Sequence, residues 1–200
     1  MSGSEKMASS ERCESLLERH RYINVEHNDW YQSVYESFKE DMREVGIDVR
    51  RMYFSGFWSQ GDGACFKGRF DNLKTYLDHH HKDQYPMIRK LLEHGGYVHI
   101  DCTQSGNYYH EQSTHFSVEH DTFYRLVECP TEFHEKIVDA WDKQLEDEVE
   151  AFENDVTEQW RTYMQDLYSK LEDAHDYLVS DEAVWEAIEA NELDYEMEDA

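Results

Sequence analysis

The sequence predicts an α+β protein in which a small antiparallel sheet with packed helices is followed by a long acidic helical C-terminal region. Two pairs of segments show strand-like alternation, and each pair flanks a turn that contains glycine. Apolar residues recur every three or four positions after residue 131, and neither Gly nor Pro interrupts residues 131–200. We therefore expect four parts: a disordered leader over residues 1–10, an α+β body over 11–128, an acidic helical region over 129–193 and an acidic tail over 194–200.

The first half of the body contains helices and one hairpin. Residues 11–22 favour a short helix. The apolar spacing from Trp30 to Val45 predicts an amphipathic helix that ends at Gly46. The hairpin that follows is expected to consist of a strand over residues 47–58, a turn over 59–63 and a partner strand over 64–70.

The second half of the body contains a broken helix and another hairpin. Residues 71–94 favour helix, with interruptions at His79–His81 and near Pro86. Gly95 and Gly96 end this run, because glycine tolerates the positive φ of a helix C-cap. The second hairpin is expected to consist of strands over residues 97–103 and 108–119 with a connection over 104–107. Such an arrangement places the helices on one face of the sheet.

The C-terminal region is expected to begin its helix at Pro130 and Thr131. A straight helix of roughly 45 residues would span roughly 68 Å. Because this exceeds one small domain, the pattern predicts either a break or a long projecting arm. Ser180 is a typical N-cap for a last helix that ends near Asn191. An isolated amphipathic helix must bury its apolar stripe, which favours self-association as a homodimer.

Acidic charge is concentrated in this C-terminal region. Residues 131–200 contain 24 acidic and 4 basic residues, a formal charge of −20, whereas the whole chain carries −26. The charge argues against direct binding to nucleic acid or to an anionic membrane, because phosphates are neutralised by Lys and Arg. The chain has no apolar run that predicts a membrane span, and its four cysteines form no C-x-x-C pair. These features indicate a cytosolic protein with reduced thiols.

The densest acidic segment extends from Glu132 to Glu158, where 11 of 27 residues are carboxylates. In a helix this is one charge per roughly 3.7 Å, close to the phosphate spacing of about 3.4 Å along one DNA strand. The segment predicts a surface that occupies the basic groove of another protein; the alternative is the solvated face of an amphipathic helix. The candidate partner-binding residues are Asp139, Asp142, Glu146, Asp147, Glu148, Glu150, Glu153, Asp155 and Glu158.

The glycine-rich segment of the first hairpin is the other unusual feature. Its Gly-Asp-Gly sequence is compatible with an anion cradle built from backbone N–H groups, or with a tight hairpin in which glycine supplies positive φ. It is not a P-loop, because the Lys-Ser/Thr ending is missing. Trp58, Gln60, Asp62 and Tyr108 are secondary candidates for an interaction surface.

The twelve histidines do not form a recognisable metal motif. His79–His81 are adjacent, so their side chains diverge on a helix. His110 and Glu111 could meet Asp101 across strands, and a structural metal there is the minor alternative. We predict no metal, no cofactor and no catalytic residue. An enzyme built on the Ser55–Asp62 hairpin with Tyr109 and His110 is a third hypothesis.

Three segments carry a resemblance to known proteins: YFSGFWSQGDGACFKGRF, GNYYHEQSTHFSVEH and YLVSDEAVWEAIEANEL. They resemble a group of uncharacterised phage and prophage proteins that often carry the loose label of antitoxin from a toxin–antitoxin system. The resemblance covers residues from about 30 to 193, and the glycine-rich hairpin is its most specific part. It implies a phage or mobile-element origin and assigns no catalytic residue.

Together these features predict a phage-encoded inhibitor of a host defence nucleoprotein or nuclease, of anti-CRISPR or antirestriction type, that mimics nucleic acid and is not an enzyme. Its partner would be a basic host protein such as a nuclease, a restriction enzyme or a CRISPR effector, in the cytoplasm of the infected bacterium. The alternative is an antitoxin-like interaction module that neutralises a basic toxin.

Overall fold

The computed structural model describes residues 3–27, 29–126 and 132–193, with the backbone alone for residues 3–10 and 132–134. The chain divides into two units. The larger unit comprises residues 36–168, and the smaller unit combines residues 1–35 with 169–200. The expected acidic tail over 194–200 and the expected helix start at Pro130 lie outside the described residues.

A four-stranded antiparallel sheet forms the centre of the larger unit, which confirms the α+β class. The strands are β1 (Ile47–Ser55), β2 (Gly63–Phe70), β3 (Val98–Gln104) and β4 (Thr114–His120), and their order in the sheet is β1-β2-β3-β4. Both predicted hairpins are therefore present, and they lie side by side through the pairing of β2 with β3.

Helices account for most of the remaining described chain. They are α1 (Gly3–Arg19), α2 (Gln32–Glu44), α3 (Leu73–His80), α4 (Pro86–Glu93), α5 (Phe123–Leu126), α6 (Glu132–Leu178) and α7 (Asp181–Ala190). The predicted interruption of the 71–94 run is observed between α3 and α4. Asn72 caps α3 through its side chain, which accepts a hydrogen bond from the Thr75 backbone N–H.

The core of the larger unit lies on one face of the sheet. Phe66 of β2 contacts Phe38 of α2 and Trp160 of α6, with ring centroids 5.8 and 5.5 Å apart. Phe70, on the same face of β2, contacts Tyr76 of α3 at 4.7 Å. Three helices thus pack against one face, as the sequence predicts, and the fully buried aromatic rings make large apolar contributions to stability.

Helix α6 is continuous over 47 residues. Buried side chains recur along it at intervals of three, four or seven residues from Val138 to Leu171. The sequence predicted either a break or a projecting arm. The described helix has no break, and it is packed along its length because its apolar stripe keeps the helical period throughout.

The smaller unit is held together by α1 and α7. Leu16 of α1 is buried with Val184 and Ile188 of α7. The Asn24 side-chain amide donates to the backbone carbonyls of Leu178 and Ala183, at 3.0 and 3.1 Å. The helix predicted to start after Ser180 is confirmed, because the Ser180 side chain accepts a hydrogen bond from a backbone N–H in the first turn of α7.

Two segments differ from their predicted conformation. Helix α1 begins at Gly3, so residues 3–10 are helical where a disordered leader was expected. Residues 108–113 were predicted as strand, but they form an irregular connection that ends in a 3-10 turn over Glu111–Ser113. The Gln104 side chain holds this connection by donating to the carbonyls of Gly106 and Tyr108, at 2.8 and 3.1 Å, which competes with strand pairing.

Candidate functional site

Helix α6 carries the predicted partner-binding carboxylates because one of its faces is committed to the core. Leu145, Phe152 and Trp160 are fully buried on that face. Val149 and Val156 are buried with them, and the other residues of this segment lie on the flanks and on the outer face of the helix. The position of each carboxylate around the helix therefore decides whether it serves the fold or faces solvent.

Three of the nine predicted carboxylates make contacts within the larger unit. The Asp142 carboxylate accepts hydrogen bonds from the backbone N–H groups of Phe123 and Tyr124, at 2.6 and 3.3 Å. Asp155 accepts a hydrogen bond from the Tyr85 hydroxyl and lies 4.0 Å from the His81 ring.

Glu148 is the third carboxylate with an internal role. Its Oε2 atom accepts hydrogen bonds from the backbone N–H groups of Met87 and Ile88 in the first turn of α4, at 2.8 and 3.2 Å. Carboxylates at such positions satisfy N–H groups that have no partner within their own helix. Part of the acidity of α6 therefore stabilises neighbouring elements.

The other six predicted carboxylates remain available to a partner. Within the described part of the chain their side chains make no hydrogen bond or ion pair, and all except the half-buried Glu153 are exposed. These six residues, here called the acidic face, are Asp139, Glu146, Asp147, Glu150, Glu153 and Glu158. Two lysines, Lys136 and Lys143, are also exposed on this helix.

The glycine-rich turn between β1 and β2 is a hydrogen-bonded hairpin connection. Its Asp62 carboxylate accepts hydrogen bonds from the backbone N–H groups of Trp58 and Ser59, at 3.0 and 2.7 Å. A Cβ atom at Gly56, whose φ is +34°, would lie 2.8 Å from that carboxylate. Because an acidic side chain fills the turn, the turn is not an anion cradle in this conformation.

The two hairpin connections lie at the same edge of the sheet, because β1 and β3 are both antiparallel to β2. The Tyr109 ring of the second connection stacks on the Tyr53 ring near the end of β1, with centroids 5.1 Å apart. Trp58 and Tyr108 project from this edge, and their side chains are 74% and 73% exposed. Gln60 is exposed in the first connection.

A buried carboxylate lies behind these connections. Glu111 is 9% exposed, and its two oxygens contact the His110 ring at 2.9 Å and the Gln165 amide of α6 at 3.2 Å. Asp101 instead contacts His99, at 2.9 Å, so the predicted meeting of Asp101 with His110 and Glu111 is not observed. Within the described residues no group of three or more His, Cys, Asp or Glu side chains is arranged to hold a metal ion.

The adjacent histidines diverge, as predicted for neighbouring residues on a helix. The His80 ring contacts the Tyr163 hydroxyl at 2.6 Å, whereas the His81 ring contacts Gln84 at 2.8 Å. Burial, followed by the adjacent His79 and His81, lowers the pKa of His80 to about 4. His80 is therefore neutral at pH 7, and its Nε2 atom shares a hydrogen bond with the Tyr163 hydroxyl.

Sequence reasoning did not identify the internal roles of Asp142, Glu148 and Asp155. The only available signal was their helical position, which differs from that of the acidic face by part of a turn. No helix in the described part of the chain is long and apolar enough to cross a membrane.

Comparison with curated proteins and with solved structures found no match. A family model for a domain of unknown function, DUF8835, matches residues 30–181. The matched range includes the glycine-rich hairpin, the second hairpin and all of α6. On this evidence the chain belongs to the DUF8835 family.

Proposed function

We propose that this protein is a phage-encoded inhibitor of a host defence nucleoprotein or nuclease, of anti-CRISPR or antirestriction type, and that it is not an enzyme. In this proposal the acidic face of α6 occupies a basic groove that otherwise binds DNA or RNA. The observation that carries the proposal is a row of carboxylates that make no hydrogen bond or ion pair within the described residues, on a helix whose core-facing side is buried. The phage origin rests on the resemblance of the three segments quoted above.

The acidic face has the geometry of an extended anionic strip. Asp139, Glu146, Glu150 and Glu153 follow one another at intervals of seven, four and three residues, which places them along one flank of the helix. At 1.5 Å per residue this flank is about 21 Å long. A packed helix holds these charges in place before a partner arrives, so little ordering entropy is lost on binding.

The charge density of the strip sets a limit on the mimicry. Seven carboxylates from Glu135 to Glu158 make no side-chain hydrogen bond or ion pair in the described chain, which corresponds to one per about 5 Å of axis. This is sparser than the spacing of about 3.4 Å along a DNA strand. The mimicry we propose is therefore a match of overall potential, and it does not place one carboxylate at each phosphate position.

A second candidate function is an antitoxin-like module that docks on a basic toxin through the sheet edge. Trp58 and Tyr108, the two most exposed large aromatic side chains in the described residues, favour it. Tryptophan and tyrosine are enriched among the residues that dominate binding energy in protein interfaces. Docking of this type depends less on salt than docking through the acidic face does.

Charge reversal distinguishes these functions. The test variant is Glu146→Lys, Glu150→Lys and Glu153→Lys, and the control reverses three exposed acids of the smaller unit: Asp173→Lys, Glu182→Lys and Glu186→Lys. Each protein is expressed in bacteria that carry an active DNA-targeting defence system, and phage plaques are counted. We expect the control to inhibit the defence system, so that plaques form as they do with the wild type. The test variant is expected to lose this inhibition, so that few plaques form.

A pull-down of the defence protein at about 0.15 M and about 0.5 M salt, a range over which the Debye length shortens markedly, gives the second readout. Release at high salt and displacement by duplex DNA support the mimicry. A salt-resistant complex that is lost in Trp58→Ala with Tyr108→Ala supports the antitoxin-like alternative. Inhibition that survives the reversal of Glu146, Glu150 and Glu153 overturns the proposal.

A further inference from the structure

The open face of the sheet carries a cluster of basic side chains in an otherwise strongly acidic chain. Phe66 and Phe70 point to the helices, so the alternate residues Lys67 and Arg69 lie on the opposite face. Arg51 is paired with Lys67 in the register of β1 and β2. We define the basic face as Arg50, Arg51, Lys67 and Arg69, four of the 19 basic residues in the chain.

A β-bulge places both arginines of β1 on the exposed side. The register passes from Val49 opposite Gly68 to Arg51 opposite Lys67, so Arg50 has no partner on β2. Both arginines are exposed. In a regular strand, successive side chains alternate between faces, and one of the two guanidinium groups would point into the core.

The ion pairs of the basic face are loose, so their N–H groups are available. Arg50 lies 4.0 Å from both Asp48 and Asp101, and Arg69 lies 3.6 Å from Asp48. These distances exceed those of hydrogen bonds. By contrast, Arg89 donates to backbone carbonyls at 2.9 and 3.2 Å. The carboxylates orient the guanidinium groups without occupying their donors.

Two further cations complete the face. Arg51 makes no ion pair within the described residues, and the Lys67 ammonium lies 5.6 Å from the centre of the Tyr53 ring. A cavity of about 210 Å³ is bounded by Arg50, Arg51 and Lys67, with Thr103 and Asp101 on its β3 side. Its volume is below the range of roughly 300–1,000 Å³ that drug-sized ligands occupy.

We propose that the basic face is a binding site for the phosphate group of a small phosphorylated molecule. Arginine forks bind phosphate oxygens through paired N–H groups, which gives both affinity and orientation. The cavity is bounded by three cations, and Thr103, whose hydroxyl donates to the His115 backbone carbonyl at 3.4 Å, lies on its β3 side.

The size of the charged region favours a small ligand over a polymer. The chain has a formal charge of −26, so a long nucleic acid that extended beyond the basic face would be repelled by the acidic surface. A small phosphorylated molecule experiences mainly the charges within the Debye length of about 8 Å at physiological salt. The other titratable groups at this face are Asp48, Tyr53 and Asp101, with His99 beside Asp101, and Glu119 and His115 opposite His99 and Thr103 on β4.

The test is calorimetric titration of inorganic pyrophosphate into the full chain at constant ionic strength. We expect saturable binding to the wild type and about tenfold weaker binding to Arg50→Gln with Arg51→Gln, the loss expected when charge-assisted hydrogen bonds are removed. The control, Lys136→Gln with Lys143→Gln, changes the net charge equally on exposed residues of α6, and its affinity is expected to stay within about twofold.

A charge-preserving variant guards against misfolding of the double variant. Arg51→Lys keeps the positive charge but removes the planar fork, so we expect it to weaken pyrophosphate binding. Its thermal unfolding, followed by circular dichroism, should match that of the wild type. Absence of saturable binding to the wild type, or equal weakening in the control, would overturn the proposal. Preferential binding of a single-stranded RNA oligomer over pyrophosphate would overturn the small-ligand assignment.

Discussion

The Glu148 carboxylate of α6 lies 2.8 Å from the backbone nitrogen of Met87 in the first turn of α4. Helix α4 has no side-chain cap of its own, because its N-cap residue is Tyr85 with a φ of 59°. A carboxylate 61 residues away in sequence therefore supplies the missing acceptor. The acidity of α6 serves both the fold and the proposed partner surface.

Replacing Glu148 by Ala is expected to lower the free energy of unfolding by about 1–2 kcal/mol, because two N–H groups of α4 lose their acceptor. The matched control is Glu150→Ala on the acidic face, for which a change within about 0.5 kcal/mol is expected. Urea denaturation measures both values. Equal destabilisation by the two substitutions would contradict the assignment of Glu148 to the fold and of Glu150 to the acidic face.

Substitution of Gly63 by Ala is expected to separate the two hairpin connections. A Cβ atom there would lie 3.0 Å from the His110 ring and 3.3 Å from the Tyr109 carbonyl oxygen. We expect a loss of about 1–3 kcal/mol in stability, typical of overpacking. Adding His110→Ala should recover part of that loss, because the ring is the nearest obstacle. If the changes in unfolding free energy of Gly63→Ala and His110→Ala simply add in the double variant, this explanation is wrong.

The stability of the protein is expected to depend on pH through His80. Its folded pKa is lowered to about 4, whereas the unfolded value is about 6.5. Between these values the unfolded chain binds more protons, so stability falls as the pH falls through this window. The contribution is fully present above about pH 6.5 and, for a half-buried group, amounts to about 1 kcal/mol after allowance for screening.

His80→Gln should remove this component, so the difference in unfolding free energy between wild type and variant should change between pH 6.5 and pH 4.5. Urea denaturation at several pH values measures it, and subtraction of the variant removes the carboxylate titrations common to both proteins. Parallel pH profiles for the two proteins would show that His80 does not carry the effect.

The cysteines are expected to differ in reactivity. Burial raises the pKa of Cys65 to about 11 and that of Cys102 to about 12, whereas the Cys13 side chain is partly exposed. Because the thiolate is the nucleophile, iodoacetamide should modify Cys13 at least about tenfold faster than Cys65 and Cys102 in the folded protein. Peptide mass spectrometry measures each rate. Rapid labelling of Cys65 would indicate that the sheet opens in solution.

The local patterns in the sequence were sufficient to predict the two hairpins and the helical period. Alternation at β1 and β2, and apolar spacing on α6, reflect which face of an element is buried, and that information is present in neighbouring residues. The connection before β4 was predicted incorrectly. Its conformation depends on local hydrogen bonds of the Gln104 side chain, which compete with strand pairing, and on the close approach of His110 to Gly63 of β2, which is distant in sequence.

The amino-acid sequence alone established an acidic amphipathic helix in the C-terminal region. Its charge is the sum over neighbouring residues, and its apolar period is the spacing between them. The tertiary structure decided which carboxylates are free. Asp142 and Glu148 meet backbone N–H groups of α5 and α4, while Glu146 and Glu150 face solvent. That difference depends on where other helices begin in space, and the packing of distant segments alone determines those positions.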